Sequence, residues 1–110
     1  MANKINELKW SKTEKLAAKR AFHTAYDREC EAITAKLQKM IASAKESGDI
    51  WRIHDYLSEQ REKTDCKYDY RYSILLRVFA RLMKEGWLTE ADLDGVQEDK
   101  IEKIKSLARR

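Results

Sequence analysis

Apolar residues return at steps of mostly three and four along the first half of the chain, at Leu16, Phe22, Tyr26, Cys30, Ile33, Leu37, Met40 or Ile41, and Ala44. That spacing places them on one stripe of a single helix. A hydroxyl from Ser11 to Thr13 can accept a bond from an orphan backbone N–H at its start, and Glu14 suits the positive helix end. The helix is predicted to stop at Ser47-Gly48, with Gly48 left-handed as a C-cap. Asp49 then reads as the N-cap of a second helix to about Lys63, with Ile50, Ile53 and Leu57 on its apolar side.

A third helix is predicted from about Lys67 to Glu85. Tyr68, Tyr72, Leu75, Leu76, Phe79, Leu82 and Met83 would cover more than half its circumference and form the centre of the core. Gly86 ends it, Thr89 with Asp92 has the pattern of a capping box for a short turn before Gly95, and a last helix runs from Val96 to the chain end. The first helix carries a consequence for assembly. About 35 residues at 1.5 Å each make about 50 Å, whereas a compact domain of this size is only about 34 Å across. The chain cannot cover that stripe along its full length, and a second copy related by a two-fold axis is the simplest cover.

Composition supports helices over sheet: among 110 residues there is no proline, only 3 glycines, and 38% are charged. One modest core, hence one domain spanning residues 1–110, is what this length allows. The net charge of +4 is uneven, because residues 1–48 hold ten Lys or Arg against six Asp or Glu while residues 49–110 hold thirteen of each. Interleaving with Glu at helical spacing makes a solvated face the plain reading of that excess, with an acidic partner or nucleic acid as alternatives. Cys30 and Cys66 lack metal spacing, and the polar start of the chain predicts neither a signal peptide nor a membrane span. Reduced thiols in a cytoplasmic protein are therefore expected.

Candidate chemistry is sparse. His23 and His54 are the only histidines, and no phosphate loop, nucleophile elbow or zinc-ligand grouping is present. His54 and Asp55 are adjacent on a helix and are not expected to face each other. No cofactor, metal or catalytic site is predicted, and the protein is expected to bind rather than catalyse. The informative stretch is DIWRIHDYLSEQR at 49–61, where Trp51, His54, Asp55, Ser58, Arg61 and Glu62 fall on one face, opposite the Ile50, Ile53 and Leu57 side. Trp and Arg dominate interface hot spots, whereas packing of Trp51 on the first helix is the structural alternative. On the third helix Tyr70, Arg77, Arg81 and Lys84 share a polar side. Without a recognised motif this is more simply a solvated basic face than a nucleic-acid platform.

These residues are where the chain resembles the fluorescence recovery protein family. The resemblance rests on Trp10-Ser11, AFHTAYDRE at 21–29, DIWRIHDYLSEQR at 49–61, KYDYRYS at 67–73, VFARLMKEGWL at 78–88 and DKIEKIKSLA at 99–108. It implies an all-α homodimer with an extended helical arm, about residues 1–63, and a compact helical head, about residues 64–110. It also implies no cofactor, no integral membrane association, and a role in binding photoactivated orange carotenoid protein and speeding its return to the inactive orange state, which restores phycobilisome fluorescence. The resemblance assigns Trp51, His54, Asp55 and Arg61 to the dimer and partner interface, and Arg77 and Lys103 to the partner-binding surface of the head. Localisation would be cytoplasmic, with peripheral contact to the thylakoid membrane open. In two places the chain departs from the family pattern: Arg77 stands where a functional phenylalanine is expected, and Tyr70 where an acid is common. An unrelated client of the same helical scaffold is the competing reading.

Overall fold

A computed structural model describes residues 9–110, which form α1 (Lys12–Ser43), α2 (Asp49–Lys67), α3 (Leu75–Lys84), a single 3-10 turn (Glu90–Leu93) and α4 (Glu98–Ala108). No strand occurs among the described residues. Ser11 opens α1 as anticipated: its hydroxyl accepts from the Glu14 amide at 3.1 Å while the Glu14 carboxylate accepts from the Ser11 amide at 2.9 Å. The resulting capping box satisfies two orphan donors reciprocally. The 32 residues of α1 span about 48 Å at 1.5 Å per residue. The described chain is accordingly elongated, 60 × 27 × 26 Å.

Several of the expected local features are realised differently. α1 ends at Ser43, with Ala44 extended at φ −70°, so Gly48 terminates nothing; at φ −70° and ψ −16° it is right-handed and precedes α2. Asp49 is the first residue of α2, and its carboxylate bonds backward to the amides of Lys45 and Glu46 at 2.8 and 2.9 Å. It thus closes the α1–α2 turn rather than capping the helix that follows. α2 continues to Lys67.

The third helix starts only at Leu75, because the segment carrying Tyr68, Tyr70 and Tyr72 is not helical. The segment is irregular, with backbone bonds from the Asp69 amide to Lys67 O and from the Arg71 amide to Asp69 O, and its three rings make one aromatic series with α1 and Trp10. Tyr68 meets Tyr26 and Phe22 at 5.1 and 5.4 Å, Tyr70 meets Phe22 at 4.9 Å, and Tyr72 meets Trp10 at 5.7 Å between centroids. Tyr70 is therefore half-buried against α1 and does not share a polar face with Arg77, Arg81 and Lys84.

The core joins the first half of α1 to α3, α4 and the 3-10 turn. Its α1 contribution is alanine: Ala17, Ala18, Ala21 and Ala25 are buried, whereas Leu16, read as part of the stripe, is 66% exposed. Small side chains let the loop after α3 approach closely. A Cβ on Gly95, at φ +104°, would lie 2.9 Å from the Ala17 Cβ, so glycine serves both the backbone angle and the contact. Phe79, Leu75, Leu82, Leu88, Leu93 and Ile104 fill the space opposite. Thr89 and Asp92 do form the expected capping box.

Two buried charge clusters tie the helices together. At one end Lys100 Nζ meets both Glu14 oxygens, at 3.2 and 3.1 Å, and lies 5.1 Å over the Trp10 ring. At the other, Lys67 Nζ donates to Glu29 at 2.7 Å and to Glu85 at 2.6 Å, and the Tyr68 hydroxyl donates to Glu29 at 2.8 Å. Burial pushes the Glu14 and Glu85 carboxyls up, but hydrogen bonds to both and the neighbouring cations outweigh it, leaving both below the ordinary range. Near the surface, the Arg28 guanidinium and the Thr89 amide and hydroxyl hold Asp92 at about 2, against an ordinary 3.8.

A depressed carboxyl stabilises the fold fully above its unfolded value and loses that contribution as pH falls through the folded one. Stability should therefore stay flat from neutral pH down to roughly pH 5 and fall steeply below about pH 4. Asp92→Asn should be less stable at neutral pH and have a shallower acid limb. A thermal denaturation series against pH checks both, and an acid limb unchanged in Asp92→Asn would contradict the assignment.

Candidate protein-binding surface

From Cys30 to Lys63 not one residue is buried. This stretch is the second half of α1, the turn, and most of α2, paired as a helical hairpin. Leu37 and Met40 are only partly covered, while Ile41 is 57%, Ile50 60% and Trp51 65% exposed. Single exposed apolar side chains are ordinary on any surface, whereas a contiguous apolar stretch marks a contact. The uncovered side chains here extend along both helices of one hairpin.

The polar candidates lie on the same hairpin. Trp51 and His54 meet edge to face at 6.3 Å. His54 Nδ1 comes within 3.3 Å of Asp55 Oδ1, so the two adjacent side chains do reach each other, contrary to expectation, because both are free to swing into solvent at 65% and 81% exposure. Arg61 Nε donates to Asp65 one turn on at 2.9 Å. Exposed pairs of this kind contribute little to stability and remain available to a partner.

The placement of the apolar residues of α2 also differs from expectation. Leu57 lines one shallow groove with Tyr26, Cys30, Ile33 and Arg61 between the two helices, and a second with His54, Ser58, Arg61 and Asp65 on the outer side. Leu57 is therefore not opposite the His54–Arg61 face but beside it. At 3.6 residues per turn, positions 50, 54, 57 and 61 fall within about 60° of one another. The surface so formed has apolar groups flanked by an imidazole and a guanidinium, the mixture found at protein interfaces.

Arg77 on α3 and Lys103 on α4 are both exposed, and both belong to the compact part of the molecule rather than to this hairpin. Cys30 is half-buried and Cys66 exposed, both as free thiols. Among the described residues no group of three or more His, Cys, Asp or Glu is placed to hold a metal, and no helix is long and apolar enough to cross a membrane. Helical spacing does not signal Glu29, Lys67 and Glu85, which are separated in sequence and reach one another only through the fold. Only the tendency of a buried charge to need a partner could have signalled them.

Residues 10–108 match the sequence profile of the family described as photoprotection regulator fluorescence recovery protein. The chain is 40% identical over 103 residues to the fluorescence recovery protein of Synechocystis sp., covering 94% of each chain. Among solved structures, the fluorescence recovery protein of Fremyella diplosiphon superimposes with a TM-score of 0.86 at 44% identity, over 93% of this chain and 100% of that one. That of Synechocystis sp. does so with a TM-score of 0.86 at 39% identity and the same coverage.

Proposed function

Since this chain belongs to the fluorescence recovery protein family of photoprotection regulators, we propose that it is a non-enzymatic regulator that binds photoactivated orange carotenoid protein and accelerates its return to the orange state. In this reading the protein works in the cytoplasm as a homodimer. Its arm is about residues 1–63, which projects as the hairpin from residue 30 onward, and its head is about residues 64–110, packed around α3 and α4. Trp51, His54, Asp55 and Arg61 serve the dimer and partner interface, while Arg77 and Lys103 face the partner from the head. The observation that carries the reading is the hairpin of the arm, 34 consecutive residues with none buried, whose apolar groups its own chain covers only in part.

Acceleration without consumption has a plain thermodynamic form. A binder shifts a two-state partner only by its differential affinity for the two states. To speed deactivation it must hold the transition state that leads from the open form more tightly than the open form itself, and bind the closed orange form weakly enough to be released. A dimer offering two copies of the same surface can hold separated parts of one target near each other, which raises their effective concentration. The test is size-exclusion co-elution under illumination and in the dark. Co-elution with the photoactivated form that is lost once the target has returned to the dark form supports the proposal, and no co-elution with the photoactivated form contradicts it.

An unrelated client of the same scaffold is the second reading. It draws on Arg77, an exposed cation where an aromatic contact is expected from the family pattern. Genetic context or co-purification from the native organism separates the two.

A further inference from the structure

The solvent face of α3 is wholly cationic. Of its ten residues, only Arg77, Arg81 and Lys84 are exposed, and the helix contains no carboxylate. Arg81 and Lys84 sit in the last turn, where the negative end of the helix favours them, and Arg81 also pairs with Glu85 at 3.0 Å. These two need no partner to explain them. Arg77 is different: it is the third residue of α3, where the positive helix end opposes a cation. The first turn carries no acid, the residue before it supplies no side-chain cap, and Arg77 makes no ion pair or side-chain hydrogen bond among the described residues.

We infer that this face of α3 docks an acidic protein surface, with Arg77 as its principal contact. The inference deepens the proposed role of the head as a partner contact and rests on that reading. A guanidinium in a first turn is unfavourable in the free protein and is compensated when a partner carboxylate takes its bidentate bonds. Arg77, Arg81 and Lys84, at steps of four and three, point to one side and match a row of carboxylates rather than a single anion. Nucleic acid fits less well, since three cations are few beside the phosphate contacts such complexes use. A membrane also fits less well, because this face has no exposed apolar side chain to insert.

The test uses the full chain and a short polyglutamate peptide as probe, with binding read by fluorescence anisotropy at roughly 0.15 M salt. Arg77→Gln/Arg81→Gln/Lys84→Gln should weaken binding tenfold or more. The charge-matched arm variant Lys36→Gln/Lys39→Gln/Lys45→Gln should stay within about twofold, since exposed charges beyond a Debye length are screened. Arg77→Glu should lose the peptide yet raise the melting temperature by roughly 2–6 °C, because it replaces an opposed charge with a favoured one. Equal losses in the two triple variants would reduce the effect to net charge and overturn the inference. A lower melting temperature for Arg77→Glu would make Arg77 structural and overturn it too, as would tighter binding to duplex DNA or anionic vesicles than to the peptide. The peptide assay contains no carotenoid protein, so it stands or falls separately from the functional proposal.

Discussion

Lys67→Met should destabilise the protein by about 3–5 kcal/mol, as removal of one partner from a buried ion pair does. The Lys67 and Glu29 side chains are 5% and 10% exposed. Methionine keeps most of the stem but leaves Glu29 with the Tyr68 hydroxyl as its remaining donor. Glu85 is more exposed and keeps Arg81 and the Trp87 indole N–H, so the damage centres on Glu29. Adding Glu29→Gln should recover most of the loss, because the amide oxygen can still accept from Tyr68 without carrying an unpaired charge. Since domains have only about 5–15 kcal/mol to lose, the single variant should lie close to unfolding at 37 °C. Urea denaturation of both variants at one fixed protein concentration measures the coupling. A single-variant cost under about 1 kcal/mol would show that water reaches Glu29 and that the pair does not fix α2 against α1.

Trp51→Ala should weaken self-association at least thirtyfold, the equivalent of about 2 kcal/mol at an interface hot spot, while leaving the helical content unchanged. Trp51 is 65% exposed and is not in the hydrophobic core of its own chain, so its removal costs the fold little and the interface much. Sedimentation equilibrium should show wild type near twice 13.0 kDa at micromolar concentration and the variant near the single mass. If both sediment identically as dimers, the contact lies elsewhere on the arm, with Ile41 and Leu37 the next candidates. A monomeric wild type would contradict cover of the hairpin by a second copy.

The two variants probe parts of the molecule that differed in how legible they were. The first helix was readable because its stripe, from Phe22 to Ile41, repeats with one period over five turns and more. The start of α1 was readable from Ser11 and Glu14, and the turn before Gly95 from Thr89 and Asp92, since capping uses local bonds that the spacing alone dictates. The core face of α1 was not readable by the same rule. It is made of alanines, which spacing arguments weighted to large side chains pass over, and it is chosen by the close approach of Gly95.

The KYDYRYS segment shows a conflict of periods. Tyr68, Tyr70 and Tyr72 alternate at a step of two, while Tyr68, Tyr72, Leu75 and Leu76 also satisfy a helical step. Packing against Phe22, Tyr26 and Trp10 decided for a non-helical path, which no local propensity specifies. Gly48 and Asp49 show a similar limit. Both residue types fit a helix end, but the carboxylate of Asp49 served the turn behind it instead, at Lys45 and Glu46. Of the proposed interface residues, Trp51 and Arg61 stand out by residue type. The place of Leu57 beside them follows from helical spacing, since positions 50, 54, 57 and 61 fall within about 60° of one another, and is hidden only when Leu57 is grouped with Ile53 as apolar.

The most direct measurement on the central claim is the dark recovery of photoactivated orange carotenoid protein, followed by absorbance, with this protein present at one tenth of the carotenoid protein concentration. The expected rate is at least several times that of the carotenoid protein alone, sustained to completion, because a regulator that stabilises the transition state and lets the orange form go is released unchanged. A smaller acceleration by Trp51→Ala is also expected at concentrations where that variant is monomeric. A recovery curve identical with and without the protein, at equimolar as well as substoichiometric amounts, would contradict the central claim.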